Sequence, residues 1–206
     1  MKWKHYIDSH KGATPLLVLL LMAIFRSWDN PTAWVYLALH GSYGILWVLK
    51  SRIFGDRQWE AKASVWRGLY IWAGLSFYWI APLLITWRAV RAPGWLLGLA
   101  VASFGFGVFL HFASDMQKHI ELRLNPGHLI TGGLMKRLRN PNYLGEFLIY
   151  AGFGSLAMSW IPFAVIALFM AIIWVPNMLR KDRSLSRYPE FAEYRRRSKF
   201  IIPFIL

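Results

Sequence analysis

Six apolar runs, at approximately residues 13–27, 32–49, 68–87, 94–113, 143–158 and 161–179, alternate with clusters of charge and leave few folds open to this chain. Runs of about 17–25 residues match the length a helix needs to cross roughly 30 Å of hydrocarbon. The first and fifth are short. Lipid offers backbone N–H and C=O groups no partners, so each span is helical or part of a closed barrel. Continuous stretches such as PLLVLLLMAIF (15–25) lack the alternation of barrel strands. The expectation is an all-α polytopic membrane helical bundle of about six transmembrane helices, seven if a C-terminal or broken helix is counted. With 56% hydrophobic and 17% aromatic residues, the chain is too apolar for a soluble domain of 206 residues.

The 24 Lys and Arg residues divide unevenly between the two sets of connections. Lys2, Lys4 and Lys11, five residues from Lys50 to Arg67, five from Lys118 to Arg139 and eight from Arg180 to Lys199 fall on one side. Arg26, Arg88 and Arg91 fall on the other. A 21-to-3 split places both termini in the cytoplasm by the positive-inside rule, and a bacterial inner membrane is expected. The net charge of +14 thus serves topology and contact with anionic membrane lipid, and no nucleic-acid partner is expected. Zero cysteines exclude disulfides, thiolate zinc sites and thiol nucleophiles. The basic N-terminus lacks a clean cleavage pattern and reads as a retained first span. With no internal repeat or long separate loop, residues 1–206 read as a single membrane domain and a monomer, 1–104 forming substrate-side spans and 105–206 a cofactor-binding region.

The segment RNPNYLGEFLIY (139–150) carries more hydrogen-bonding capacity than the start of a lipid-facing span requires. Pro141 suits the first turn of a helix, with Asn140 before it as an N-cap. The free N–H groups of such a start favour an anion, and Lys136, Arg137 and Arg139 lie beside it. An ordinary capped helix flanked by topology signals explains most of this. Glu146 does not fit that account, because a carboxylate one turn inside a span normally faces a polar partner, cavity or ligand. Asn142, four residues before it, shares its helical face.

Two further groups stand out. At the end of the fourth span, LHFASDMQKHIELR places His111, Asp115 and Lys118 on one helical stripe. They form either a surface ion pair or a wall opposite the start of the fifth span. His111, Asp115 and His119 are spaced to hold a metal, yet no defined ligand set is present, so no metal is expected. In the second span, His40 and Tyr43 lie among Gly41, Ser42 and Gly44, where small residues serve either helix packing or close ligand approach. In the C-terminal segment, Arg180, Lys181, Arg183 and Arg187 either clamp phosphates or rest on anionic headgroups.

The order SD…QK…GGL…RNPNYLGE, then a span, then RSLSRYPEF and the closing IIPFIL resembles the C-terminal domain of the steroid 5-alpha-reductase family, including its bacterial members of similar length. The resemblance covers about residues 105–206 well and 32–55 weakly. It implies a membrane-embedded helical bundle that binds NADPH and reduces a carbon–carbon double bond conjugated to a ketone, such as a 3-oxo-4-ene steroid. Carried over by position, it implies cofactor contacts for Asp115, Asn142 and Glu146, with Arg123 and His128 nearby. It adds Asn177, Arg180 or Lys181 and the region of Tyr188. His40 and Tyr43 become candidates for the group that polarises the carbonyl. Gly41 follows His40 where the animal enzymes have Tyr, and no Gln-Glu pair precedes it, Asp8 and His10 being poor substitutes, so the substrate extends to any lipophilic enone or unsaturated lipid. The rival reading is an S-adenosylmethionine-dependent membrane methyltransferase of the isoprenylcysteine or phospholipid type, whose basic-x-Pro-x-Tyr turn RNPNY loosely matches. Those enzymes carry a Glu-Glu pair after the last span, where this chain reads RKDRSLSRYPE.

Overall fold

A computed structural model describes residues 1–202, and every named element among them is helical. In order they are α1 (Trp3–Ile24), α2 (Pro31–Phe54), α3 (Val65–Trp87), α4 (Gly94–Leu124), α5 (Pro141–Ser155), α6 (Ile161–Leu185) and α7 (Phe191–Arg197). Five of these, α1 to α4 and α6, are long and apolar enough to cross a membrane. The chain is an integral membrane protein of the polytopic helical class. The expected fifth span is α5, whose 15 residues reach only about 22 Å. The part of the IIPFIL ending from residue 203 onward lies outside the described residues.

Local chemistry sets the boundaries. Asn30 accepts a hydrogen bond from Thr32 N at 3.0 Å and precedes Pro31 at the first position of α2. Ser64 accepts from Arg67 N at the start of α3, and Ser159 from Ile161 N at the start of α6. Two interruptions precede prolines. The 3-10 turn Phe77–Trp79 contains the carbonyl that Pro82 cannot bond, and the π turn Met170–Trp174 contains the one that Pro176 cannot. A further π turn, Leu37–Gly41 in α2, has no such proline and contains His40. Two helices exceed the expected spans by ten residues or more. α1 starts at Trp3 rather than near residue 13, taking Asp8, His10 and Lys11 into the helix, and α4 continues from 113 to Leu124.

The chain divides into two compact units. The first comprises Met1–Phe104 with Ala151–Val165. Its α1 and α2 cross in backbone contact, since a Cβ on Gly44 would stand 2.2 Å from the Lys11 carbonyl oxygen. Its basic end is tied by Lys2 and Lys4 on Glu60, whose hydrogen bonds hold that carboxyl down at about 2. At the opposite end Asp29 pairs with Arg91 at 2.6 Å, Asn30 donates to Val90 O and Ala92 N donates to Thr32 Oγ1. Exposed Trp28, Trp34, Trp87, Trp95 and Trp160 sit at helix ends or in the connections between them, the positions indoles take in an interfacial belt.

The second unit comprises Gly105–Tyr150 and the chain from Ile166 onward. Its α4 and α5 meet at two glycines: a Cβ on Gly145 would lie 2.5 Å from His111 N and 2.6 Å from Gly107 O. A turn forms at Gly132 and Gly133. Gly133 adopts φ +54°, and the Gln117 side chain donates to Gly132 O and accepts from Leu134 N. Residues 198–200 form a strap along 137–140. Arg139 N donates to Lys199 O, Lys199 N to Arg137 O, and Asn140 Nδ2 to Phe200 O.

Tyr194 fastens the helix before the strap, donating from its hydroxyl to Met135 O at 2.7 Å. Burial pushes its pKa from 10.0 up to about 12. Since the fold favours the protonated phenol, this stabilisation is complete below pH 10 and disappears as pH rises through 12. Tyr194→Phe is expected to lose about 1 kcal/mol at neutral pH. In melts between pH 9 and 12, the gap between the two proteins should close; a gap that stays constant contradicts this assignment.

Candidate functional site

Each unit contains one cluster of the residues singled out above. In the second unit, the glycine crossing brings α4 close enough to α5 for His111 Nδ1 to donate to the Asn142 carbonyl at 3.1 Å. His111 is 2% exposed, and its Nε2 lies 3.9 Å from Asp115 Oδ2, one turn further along α4. Lys118, at the next position of that stripe, is half-buried, as is Glu146 on α5 one turn after Asn142. The expected stripe and the expected α5 face therefore occupy neighbouring helices, joined by His111 and Asn142.

A second polar hub adjoins the start of α5. Arg139, 7% exposed, donates from Nε to Asp182 at 3.0 Å and from Nη1 to Ser198 O at 2.7 Å. Lys181 donates to the Arg139 carbonyl. Arg139 is thus engaged with protein groups that join α6 and the strap to α5. Asn140 occupies the N-cap position, its carbonyl accepting from Leu144 N, but its side chain serves the strap rather than the cap. Among the described residues, the buried Asn140 Oδ1 and Asp182 Oδ1 accept no hydrogen bond, leaving two acceptors beside the hub.

Other expected residues lie further out. Arg180 donates to Asn177 Oδ1 at 3.2 Å on an exposed face of α6, and Arg187 donates to the Tyr188 hydroxyl at 3.1 Å. Arg123, near the end of α4, and His128, in the following loop, are exposed. Neither makes a hydrogen bond or ion pair among the described residues.

In the first unit, His40 is 2% exposed and its Nδ1 is hydrogen-bonded to the Tyr36 hydroxyl at 2.7 Å. Its ring stacks on Phe153, with centroids 4.2 Å apart and planes inclined by 12°. Tyr43 is fully buried, and Lys11 Nζ stands 4.4 Å from its ring centroid. His10 stacks on Trp79 at 4.2 Å. Tyr36, Lys11 and, in the second unit, Asp182 are the residues that sequence reasoning missed. Tyr36 had a signal in its i, i+4 spacing to His40, and Asp182 is the one acid between residues 177 and 189. Lys11 had none to distinguish it from a topology charge.

A family model described as 3-oxo-5-alpha-steroid 4-dehydrogenase matches residues 68–206. The match includes the second-unit cluster and stops short of α1 and α2. The chain is 28% identical over 160 residues to the cobalt-zinc-cadmium resistance protein CzcN of Cupriavidus metallidurans, an alignment covering 77% of this chain and 60% of that protein. It is 33% identical over 76 residues to the nickel-cobalt-cadmium resistance protein NccN of Alcaligenes xylosoxydans xylosoxydans, 36% of each chain. The chain therefore spans less than two thirds of either relative. No solved structure matches. Among the described residues, no three His, Cys, Asp or Glu side chains gather as metal ligands.

Proposed function

We propose that this chain, which belongs to the 3-oxo-5-alpha-steroid 4-dehydrogenase family, is a membrane-embedded reductase that uses NADPH to saturate a C=C bond conjugated to a ketone in a lipophilic molecule. The observation that carries the reading is the α4–α5 crossing, which sets His111 and Asp115 beside Asn142 within the segment that the family model covers. The donor set suits a phosphorylated dinucleotide. Asp115, Asn142 and Glu146 offer hydrogen-bond acceptors for ribose or amide groups, while Lys118, Arg180 and Lys181 offer cations for phosphate. Arg139, bound to Asp182 and Ser198, holds this rim in place. Arg123 and His128, which are exposed, and the half-buried Asn177 and Tyr188 form its outer part. Both termini and the cofactor residues face the cytoplasm in this reading, as the distribution of basic residues favours.

NADPH, when bound, supplies the hydride. The chain must bind the enone and stabilise the negative charge that develops on its carbonyl oxygen. His40, oriented by Tyr36, and Tyr43 are the side chains assigned to that hydrogen bond. A ligand that binds only the folded state adds RT ln(1 + [L]/Kd), about 2.7 kcal/mol at 100 Kd. The purified protein in detergent is therefore expected to melt higher with NADPH than with NADH or S-adenosylmethionine. Asn142→Ala and Glu146→Ala should each lose most of that gain. Stabilisation by S-adenosylmethionine alone overturns the reading in favour of a methyltransferase.

A further inference from the structure

The first two turns of α1, the last two turns of α2 and the connection that follows α2 enclose a recess at the basic end of the first unit. Its walls include Lys4, Asp8, Lys50, Asp56 and Glu60, with the indoles of Trp47 and Trp59 beside them. Helix ends and indoles put it at the level of lipid headgroups. Its charges are unevenly placed. At the outer edge Lys2 and Lys4 share Glu60, the Lys2 and Glu60 side chains being 46% and 40% exposed, which leaves one positive charge over. Lys50 and Asp56 contribute one charge of each sign. At the inner end the Asp8 carboxylate accepts from Ser51 Oγ at 2.8 Å through Oδ2, and Trp47 also donates to it. Asp8 Oδ1 is buried and, among the described residues, accepts no hydrogen bond. The enclosed space is about 10 Å³, room for one water-sized group.

We propose that this recess binds the headgroup of an ethanolamine phospholipid, with its primary ammonium donating to Asp8 Oδ1 and its phosphate at the outer edge near Lys2 and Lys4. A buried carboxylate oxygen without a donor is costly, so the group that fits beside it is small, positive and a hydrogen-bond donor. An ammonium meets all three requirements. A trimethylammonium is wider and has no N–H to give, and a metal ion calls for a ligand cluster that the described residues do not form. Water is small and donates, but it leaves the Asp8 charge uncompensated and makes no use of the positive edge. In an ethanolamine headgroup the two charges are of opposite sign and a short linker apart, as are the two ends of the recess. The headgroup-level position favours a lipid over its free headgroup, because the acyl chains stay in the bilayer. This site is independent of the reductase reading.

The test titrates the full chain in detergent with phosphatidylethanolamine, its N-methyl and N,N-dimethyl derivatives and phosphatidylcholine of the same acyl chains, read by native mass spectrometry. Wild type is expected to bind phosphatidylethanolamine at least about 10-fold more tightly than phosphatidylcholine, the worth of one charge-assisted hydrogen bond, and to weaken with each added methyl. Asp8→Asn, which keeps an acceptor for Ser51 but no charge, and Asp8→Leu should both bring that ratio to within about twofold. NADPH stabilisation should be unchanged in both, since the cofactor residues lie in the second unit. Equal binding of the four lipids by wild type means that the recess holds only a water, and overturns the inference. A preference that survives both Asp8 variants does the same. If O-phosphoethanolamine displaces the lipid at equal concentration, or ammonium chloride alone stabilises the protein as much, the ligand is the free headgroup or the ion and the lipid assignment fails. If neither variant folds, the methylation series on wild type decides by itself: a stepwise fall supports the site and a flat series refutes it.

Discussion

Arg139→Met is expected to destabilise the protein by about 3–5 kcal/mol, the range for removing one partner of a buried ion pair. The loss goes beyond the pair itself. Among the described residues, Asp182 already has one carboxylate oxygen without a hydrogen-bond donor, and the substitution removes the donor to the other. The carbonyl and hydroxyl of Ser198 and the carbonyl of Arg195 lose the same guanidinium. The strap then loses a principal attachment, and trypsin should cut at Arg195, Arg196, Arg197 or Lys199 far sooner than in wild type. Mass spectrometry of a limited digest reads this directly. Pairing Arg139→Met with Asp182→Leu should recover part of the stability, because the uncompensated carboxylate disappears with its partner. A digest and melting temperature indistinguishable from wild type would sink this assignment.

Gly145→Ala is expected to cost about 3 kcal/mol, the upper end of the range for overpacking. Its new methyl group would stand 2.5 Å from His111 N and 2.6 Å from Gly107 O. Both obstacles are backbone, so the helices must separate rather than a side chain move aside. The separation would also break the His111 bond to the Asn142 carbonyl, so NADPH stabilisation should fall along with the melting temperature. Gly105→Ala is the control. Nothing lies within 4 Å of a Cβ there, and the substitution should be neutral or slightly stabilising through helix propensity. If the two variants melt alike, the crossing is not as close as described.

Much of the fold was legible because lipid leaves the backbone so little choice. Each of the six apolar runs corresponds to a helix, and Pro141 marks where α5 begins. What sequence reasoning missed depended on partners distant along the chain. Lys11 looked like a loop charge, because only the later residues Gly44, Tyr43 and Trp47 make its place in α1 tenable. The stripe from His111 to Lys118 already pointed to helix past residue 113, but its end at Leu124 was not visible, because polar residues end an apolar run without ending a helix. In the site, His111, Asp115, Asn142 and Glu146 could be grouped in advance, since i, i+4 spacing within a helix is visible in sequence. The setting of Arg139 was not, because its carboxylate partner is 43 positions away. Asn140 shows the same limit: its place before Pro141 was readable, but the recipient of its side-chain amide lies 60 positions downstream.

That separation of 60 positions also has a meaning in time. Synthesis at about 5–20 residues per second means that residues 137–140 wait roughly 3–12 s for the segment that will latch them. During that interval α5 and α6 must enter the membrane while the turn before α5 has no strap to hold it. The glycine crossing is under no such delay, because α4 and both of its glycine contacts are made before α6 begins. The nascent chain thus acquires the contact between His111 and Asn142 early and its latch late, so a stall between residues 160 and 198 would leave a half-formed site rather than none.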